Sequence, residues 1–140
     1  MKNYLSPEMT DGEINGISCL GLAHLGDAVF ELLVRSAMCG EGRETQTGMH
    51  KAAVSMVNAS AQAAFSVMLA EKLSEEEQAV FRRARNAKVH SAPKNSDIIS
   101  YHYATGLEAL FGWLFLKGRT ERINELFGMI MENMDKDGGI

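Results

Sequence analysis

Apolar residues recur at the three- and four-residue spacing of an α-helix along most of this chain, and neither of its two prolines interrupts such a segment. Proline inside a helix removes a backbone hydrogen bond and breaks the helix, so a chain with few prolines is free to form long helices. No segment alternates apolar and polar residues in the manner of a strand. The pattern therefore predicts an all-α fold.

The same periodicity divides the chain into five predicted helices. The first, second and fourth helices are expected at about residues 15–38, 47–73 and 97–118. The third begins at about 75 and ends before a loop at 86–95, and the fifth runs from 120 to the tail. Ser74 and Glu77 form the pattern of a capping box before the third helix, and Asp97 precedes the fourth. At 140 residues the chain is expected to form one domain (1–140), with its core at about 15–134 and a flexible C-terminal tail.

Two features predict a cytoplasmic protein. The amino terminus has no apolar stretch typical of a secretory signal, and the one uncharged stretch long enough to cross a bilayer, 52–70, contains five polar residues. Cys19 and Cys39 lie inside apolar helical patterns without the spacing of a zinc or redox motif. They are predicted to be buried thiols in a reducing compartment.

Basic residues are concentrated in one short part of an otherwise acidic chain. The formal net charge is −4, yet five of the fourteen basic residues occur within positions 82–94, with no acid among them. They are Arg82, Arg83, Arg85, Lys88 and Lys94. Such a group is either a solvated face or a phosphate-binding surface, and the composition alone leaves both interpretations open.

Two acidic residues lie where packing alone would not place them. Asp27 is in the middle of the first predicted helix, and Glu108 is inside the most apolar helix of the chain. Burying an unpaired carboxylate is costly, so each is solvated, is paired with a basic neighbour, or holds a ligand. Gly26 and Gly106 lie close to these acids and permit a backbone or a ligand to approach. Two carboxylates converging from two helices, with Glu31 one turn after Asp27, would form the oxygen-rich site that Mg²⁺ prefers.

Other patterns with recognisable chemistry are weak. The four histidines have no metal-ligand spacing, and the sequence contains no Walker or dinucleotide-binding glycine loop. His24 lies one turn before Asp27. It either supports a metal ligand through a hydrogen bond or is a partly buried histidine satisfied by its neighbours.

Three segments, together with the run that contains Glu108, resemble the ribonuclease III family. The segments are 21–31 (GLAHLGDAVFE), 85–88 (RNAK) and 93–97 (PKNSD), and the run is 103–116. The resemblance is to the mini-ribonuclease III branch, whose members consist of the catalytic domain without a double-stranded-RNA-binding domain. It extends, in the same order, over about residues 15–130.

The resemblance implies a ribonuclease III-type helical endonuclease domain that forms a homodimer. Asp27 and Glu108 are then the catalytic, metal-binding acids of a Mg²⁺-dependent endoribonuclease, with Mn²⁺ as a substitute ion. The implied reaction cleaves double-stranded RNA and leaves 5′-phosphate ends. The implied substrate is the stem formed by the paired ends of precursor 23S (large-subunit) ribosomal RNA. A ribosomal protein or pre-ribosomal particle is a further implied partner, and no membrane is involved.

Contact with RNA is expected from the basic part of the chain. The candidate residues are Arg82, Arg85, Lys88, His90, Lys94 and Asn95. Because duplex RNA is recognised mostly through its shape, phosphates and 2′-hydroxyls, a groove between two subunits flanked by such residues would suffice to hold it.

The sequence departs from the larger enzymes of the family at two positions. Those enzymes have an acid four residues before the signature aspartate and another three residues before the final glutamate, where this chain has Ala23 and Thr105. The mini branch is similar in lacking both acids. The ion would then have fewer protein ligands, and Glu31, His24 and Thr105 are candidates for supporting it indirectly.

Two other functions remain compatible with the sequence. One is a non-catalytic RNA-binding module for ribosome assembly on the same fold, because Ala23 and Thr105 replace acids. The other is a helical protein-interaction domain whose carboxylates are incidental, which leaves the basic residues at 82–94 without a role. Metal-dependent cleavage of duplex RNA separates the nuclease from both.

Overall fold

The computed structural model describes residues 1–41, 46–88 and 97–136. These residues form seven α-helices and one 3₁₀ turn. They are α1 (Asp11–Asn15), α2 (Cys19–Gly40), α3 (Gln46–Met56), α4 (Ala59–Leu69) with the 3₁₀ turn Ala70–Lys72 after it, α5 (Glu75–Arg85), α6 (Ile98–Leu116) and α7 (Thr120–Lys136). No strand occurs in the described residues, so the all-α prediction is confirmed.

The first predicted helix, 15–38, is wrong at its start. Helix α1 ends at Asn15, and α2 begins only at Cys19, after Ser18 in an extended conformation. The Ser18 hydroxyl accepts a hydrogen bond from the backbone N–H of Gly21 at 3.0 Å. This side-chain cap satisfies a backbone donor that a continuous helix would have paired internally, so the chain changes direction here.

The second predicted helix, 47–73, is two helices separated at Asn58. The backbone of Asn58 is extended, its Oδ1 accepts from the N–H of Ala61 at 2.8 Å, and its Nδ2 donates to the carbonyl of Val54 at 2.8 Å. One side chain therefore ends α3 and begins α4. Asparagine competes with helical hydrogen bonds in this way, although the apolar spacing continues across the break.

The other predicted boundaries agree with the structure. Ser74 and Glu77 form the capping box of α5, with hydrogen bonds of 3.2 and 2.8 Å between their side chains and backbone N–H groups. Asp97 caps α6 by accepting from the N–H of Ile99 at 3.1 Å. Gly118, at φ +72°, turns the chain from α6 into α7 through a conformation that favours glycine.

Helix α6 is the centre of the core. It packs most extensively on α2, then on α4 and α5, and its residues from Ala104 to Leu114 are almost all buried. Phe30 of α2 contacts three further rings, with centroids 6.3 Å from Phe65, 5.6 Å from Phe111 and 5.8 Å from Phe127. Four helices therefore share one aromatic centre, and the two helices that carry the candidate acids are held rigidly against each other.

The inward face of α2 differs from the one that its apolar spacing predicts. That spacing places Leu32 in the core, yet Leu32 is 58% exposed, whereas Leu22, Phe30 and Val34 are buried. The buried residues follow a four-residue spacing that passes through Gly26, because α2 approaches α6 along its glycine. The prediction of two buried thiols is also wrong for Cys39, which is exposed at the end of α2.

None of the described helices is long and apolar enough to cross a membrane. The apolar residues of α4 instead contact α6 and α7.

A nearly buried ion pair fastens α7 to α5 and leads to a prediction. Glu77 is 3% exposed, and both its oxygens accept hydrogen bonds of 2.8 Å from Arg122, which also donates to the carbonyl of Lys72 at 2.7 Å. The Arg122 hydrogen bonds hold the pKa of Glu77 below its ordinary value. Replacing Arg122 by Met leaves the buried carboxylate of Glu77 without its ion-pair partner. We therefore expect the free energy of unfolding to fall by about 3 kcal/mol at pH 7.

Urea unfolding at pH 7 and pH 3.5 measures this effect. A carboxyl whose pKa is lowered by folding adds stability above its unfolded value of 4.5, and that stability is lost as the pH falls through the folded pKa. The difference between wild type and variant should therefore shrink in acid. The control is Arg35→Met, which removes an exposed pair with Glu31 and should cost only about 0.5 kcal/mol. Equal losses in the two variants would contradict the prediction.

Candidate active site

The candidate site is built where α2 and α6 cross at two glycines. A Cβ atom added at Gly26 would lie 1.5 Å from the carbonyl oxygen of Glu108, and one added at Gly112 would lie 2.1 Å from the carbonyl oxygen of Leu22. Neither position has room for any side chain, so the two backbones touch reciprocally. Asp27 follows Gly26 directly, and its position beside Glu108 is a consequence of this contact.

The carboxyl groups of Asp27 and Glu108 interact with each other. Asp27 is exposed and Glu108 is half-buried. Burial raises the pKa of the Glu108 carboxyl to about 8, with further contributions from a hydrogen bond with Asp27 and from the Asp27 charge. Near neutral pH Glu108 therefore keeps its proton, because its carboxylate would be poorly solvated and would lie beside the charge of Asp27.

Mg²⁺ and Mn²⁺ fit this pair of residues. Both ions prefer carboxylate oxygens, and a pair of acids pressed together against their mutual repulsion is the arrangement that a divalent cation stabilises. The described residues contain no group of three or more histidine, cysteine, aspartate or glutamate side chains suited to a metal ion. Two carboxylates are therefore the acidic ligands that this part of the chain offers, and water and substrate oxygens must fill the remaining positions.

The three residues predicted to support the metal indirectly have other surroundings. Glu31 forms an ion pair with Arg35 on the next turn of α2, and His24 is exposed. The hydroxyl of Thr105 is buried and donates to the carbonyl of Tyr101 at 2.9 Å. That hydrogen bond lies within α6, so it stabilises the helix that carries Glu108.

The structure describes three of the six predicted RNA-binding residues. Arg82 and Lys88 are exposed, and Arg85 is half-buried; His90, Lys94 and Asn95 lie outside the described residues. Arg82 and Arg85 belong to the last turn of α5.

A third glycine, Gly106 of α6, positions α5. A Cβ atom at Gly106 would lie 2.7 Å from the ring of Phe81, so α5 packs tightly on α6 only two residues before Glu108. The basic end of α5 is thereby fixed to the helix of the candidate acid.

Sequence reasoning found two of these three close approaches and missed one. Gly26 and Gly106 were expected to admit another group, and each does so, against the Glu108 backbone and against Phe81. Gly112, the reciprocal partner of Gly26, was not singled out. Its signal was a glycine inside the most apolar helix, where it costs helix stability unless packing requires it.

The raised pKa of Glu108 predicts how stability changes with pH in the metal-free protein. The folded state keeps the proton until about pH 8, whereas the unfolded chain loses it near 4.5, so the free energy of unfolding falls as the pH rises between these values. The Glu108→Gln variant lacks this effect. We expect it to exceed the wild type by roughly 2 kcal/mol at pH 8 and to differ little at pH 5.

Urea unfolding in the presence of a chelator, at the two pH values, measures that difference. Glu132→Gln, at an exposed position of α7, controls for the loss of a surface carboxylate. A stability difference between Glu108→Gln and wild type that is the same at pH 5 and pH 8 would contradict a raised pKa of the Glu108 carboxyl in the folded protein.

The fold and the site together define an all-α domain with a two-carboxylate candidate metal site. The family model of the ribonuclease III domain matches residues 20–119, a span that contains both acids. The mini-ribonuclease 3 of Symbiobacterium thermophilum is 46% identical over 107 residues (76% of this chain and 82% of that protein). The mini-ribonuclease 3 of Enterococcus faecalis is 36% identical over 124 residues (87% and 92%).

A solved structure of a Fusobacterium nucleatum protein has the same fold, with a TM-score of 0.78 at 29% identity, over 85% of this chain and 97% of that one. The chain therefore belongs to the ribonuclease III family, in its mini-ribonuclease III branch. The resemblance noted in the sequence is confirmed.

Proposed function

We propose that this protein is a metal-dependent endoribonuclease that cleaves double-stranded RNA. The observation that carries the proposal is the meeting of Asp27 and Glu108 at the glycine-lined crossing of α2 and α6, in a chain of the ribonuclease III family. Hydrolysis of a phosphodiester needs an activated water and a positive charge near the leaving oxygen. Two adjacent carboxylates are suited to hold the cation that provides both.

Asp27 and Glu108 would hold Mg²⁺, with Mn²⁺ as an alternative ion of similar ligand preference. When bound, the ion supplies an activated water and neutralises negative charge in the transition state. Glu108 gives up the proton that burial otherwise retains, and Asp27 contributes a carboxylate from the solvent side. The close contact between the two backbones fixes the distance between these groups, so little reorganisation is needed when substrate binds.

The proposal for the wider reaction rests on the resemblance to the ribonuclease III family. We propose that two copies of the chain form a homodimer, that each copy cuts one strand, and that the products carry 5′-phosphates. Arg82, Arg85 and Lys88, with His90, Lys94 and Asn95 outside the described residues, would contact the RNA. The support for this surface is its positive charge on an acidic protein, which attracts a polyanion.

We further propose precursor 23S ribosomal RNA as the natural substrate, cut in the stem formed by its paired ends in the cytoplasm. A ribosomal protein or a pre-ribosomal particle would then be a natural partner. This narrower proposal rests on the resemblance to the mini-ribonuclease III branch.

One observation favours a second candidate, a non-catalytic RNA-binding module of ribosome assembly. Ala23 and Thr105 occupy positions that are acidic in the larger enzymes. The Thr105 hydroxyl donates a hydrogen bond to the backbone carbonyl of Tyr101 within α6. A site with two carboxylates is weaker than one with four, so binding without cleavage is the outcome that this candidate predicts.

Cleavage of labelled RNA tests the proposal. A perfect RNA hairpin and the stem of a precursor ribosomal RNA are incubated with the protein in Mg²⁺, in Mn²⁺ and in chelator. We expect cutting of both duplexes with either ion and none in chelator, and no cutting of a single strand of the same composition. Binding of both RNAs without products would favour the assembly module, and neither binding nor cleavage would overturn the proposal.

A further inference from the structure

A cleft between the end of α5 and the first turns of α6 includes neither of the two candidate acids, Asp27 and Glu108. Its volume is about 350 Å³, and much of it is open to solvent. The residues that line it are Arg85, Asn86, Ile99, His102 and Tyr103. They combine an arginine, an amide, an imidazole, an aromatic ring and an apolar side chain, which is a mixture typical of a binding site.

Arg85 is held in this cleft by aromatic rings. Its guanidinium carbon lies 5.8 Å from the ring centroid of Phe81 and 5.6 Å from that of Tyr103, and its Nε donates to Asn86 at 3.2 Å. No carboxylate lies within ion-pair distance of it in the described ranges. The guanidinium is therefore ordered by cation–π contacts, and its charge is not neutralised.

Other arginines in the described residues are held by hydrogen-bonding partners. Arg35, Arg119 and Arg122 each pair with a glutamate, although Arg119 also lies 4.8 Å from the ring centroid of Trp113, and Arg82 donates to Gln78 at 3.4 and 3.3 Å. Arg85 thus combines a defined position with an open charge. That combination suits an arginine that receives an anion from outside the chain, since an arginine fork binds phosphate oxygens through two parallel hydrogen bonds.

Two further groups in the cleft have unused hydrogen-bonding capacity. The Nδ1 atom of His102 is buried and has no partner among the described residues, while the ring lies edge-on to Tyr101 at 6.1 Å. A buried nitrogen without a partner is costly, and such atoms are found where a ligand or a movement completes them. Asn86 uses its Oδ1 for Arg85, which leaves its two N–H donors.

None of the described residues that line the cleft is acidic. Asp97, the N-cap of α6, is not among them, and its oxygens accept hydrogen bonds from the N–H of Ile99 at 3.1 Å and from the hydroxyl of Ser100 at 3.3 Å. Ile99 is 64% exposed and provides an apolar wall beside these donors. A ligand with an anionic head and a compact, less polar body fits such a surface.

We propose that this cleft binds one sugar–phosphate unit of the RNA backbone at a distance from the bond that is cut. Arg85 receives the phosphate oxygens, and Asn86 adds hydrogen bonds. His102 adds another once its ring turns to bring the buried Nδ1 to the cleft, and Ile99 and Tyr103 contact the ribose. The proposal rests on the proposed function and deepens it. It adds His102, Asn86 and Tyr103 to the RNA-binding surface, and Arg85 is the residue of that surface whose position is fixed by aromatic contacts. The cleft aligns the duplex through its shape and backbone rather than its sequence.

Binding of a duplex RNA of about two helical turns by the cleavage-deficient Asp27→Asn chain tests this proposal. In that background we expect Arg85→Gln to weaken binding by about tenfold and to reduce the slope of log Kd against log salt by about one. His102→Phe keeps the ring and removes both nitrogens, and should weaken binding by about threefold. The matched control Arg83→Gln removes the same charge from the same turn of α5, outside the cleft, and should change binding by no more than about twofold.

Several outcomes would overturn the subsite. Equal effects of Arg85→Gln and Arg83→Gln would reduce the surface to general electrostatic attraction. Micromolar binding of adenosine monophosphate that depends on Arg85 would assign the cleft to a free nucleotide. Thermal melting accompanies each variant. If Arg85→Gln melts at a lower temperature than Arg83→Gln, a third variant, Arg85→Lys, replaces it in the test, because lysine retains the charge but not the guanidinium fork. Duplex binding by Arg85→Lys as tight as in the parent chain would then count against the subsite.

The cleavage assay separates failure of the subsite from failure of the proposed function. With Asp27 intact, Arg85→Gln should raise KM more than it lowers kcat, because the variant leaves the carboxylate pair in place. Wild-type cleavage together with an unchanged KM in Arg85→Gln would overturn the subsite alone. A wild-type chain that neither binds nor cuts duplex RNA would overturn the proposed function first.

Discussion

Asp27→Asn is expected to lower the rate of duplex RNA cleavage by on the order of 10³-fold or more while the fold and RNA binding persist. Asparagine has nearly the same shape as aspartate but no charge, and the site has only two carboxylates among the described residues to hold a cation. Because Asp27 is exposed, the substitution disturbs little packing. The measurement is single-turnover cleavage of a labelled hairpin in Mg²⁺, with circular dichroism and RNA binding recorded on the same preparations.

The matched control for this experiment is Asp11→Asn. Asp11 is an exposed aspartate whose ion pair with Lys117 joins α1 to the end of α6, remote in the chain from both acids. It should retain wild-type cleavage. An Asp27→Asn chain that still cuts at a comparable rate would remove Asp27 from the catalytic site and with it the proposed metal site.

Gly26→Ala is expected to cost at least about 4 kcal/mol of folding free energy and to abolish cleavage as well. The added methyl group would lie 1.5 Å from the carbonyl oxygen of Glu108, an atom of a buried helix backbone that cannot rotate away. Helix α2 must therefore separate from α6, which opens the centre of the core and draws Asp27 away from Glu108. Urea unfolding and the hairpin assay measure the two effects independently.

Gly128→Ala provides the control with the opposite sign. Gly128 lies inside α7 with no atom within 4 Å of the added methyl, so the substitution should stabilise the protein by about 0.5–1 kcal/mol through helix propensity.

Gly112→Ala should resemble Gly26→Ala. The double variant should cost less than the sum, because both act on the same contact. Wild-type stability in Gly26→Ala would show that the helices do not cross at this glycine.

The helices themselves were largely predictable. Capping hydrogen bonds begin two of the helices that were predicted correctly, at Ser74 and Asp97, and the residues that make those bonds are visible in the sequence. The two errors at Ser18 and Asn58 have one cause. Apolar spacing continues across both breaks, and a capping side chain overrides it over only one or two residues.

The site was predictable in its components and not in its geometry. Asp27, Glu108, Gly26 and Gly106 were all recognisable as residues out of place in apolar helices. The pKa of Glu108 is raised mainly by burial, which depends on how the other helices cover α6. The local sequence around Glu108 does not indicate how deeply its carboxyl is buried. Arg85 likewise stood out only as one of several basic residues, and its aromatic surroundings became visible when α5 was placed against α6.

The sequence by itself determined the all-α class, most helix boundaries and the family, and it singled out Asp27 and Glu108 as candidate acids. These follow from spacing, caps and residue chemistry within short stretches of chain. Only the tertiary structure decided that Gly26 touches the backbone of Glu108, that Gly112 touches the backbone of Leu22, and that burial beside Asp27 raises the pKa of the Glu108 carboxyl. The physical reason is that an apolar stripe specifies which face of a helix is buried, whereas the partner of that face is chosen by how all the helices pack together.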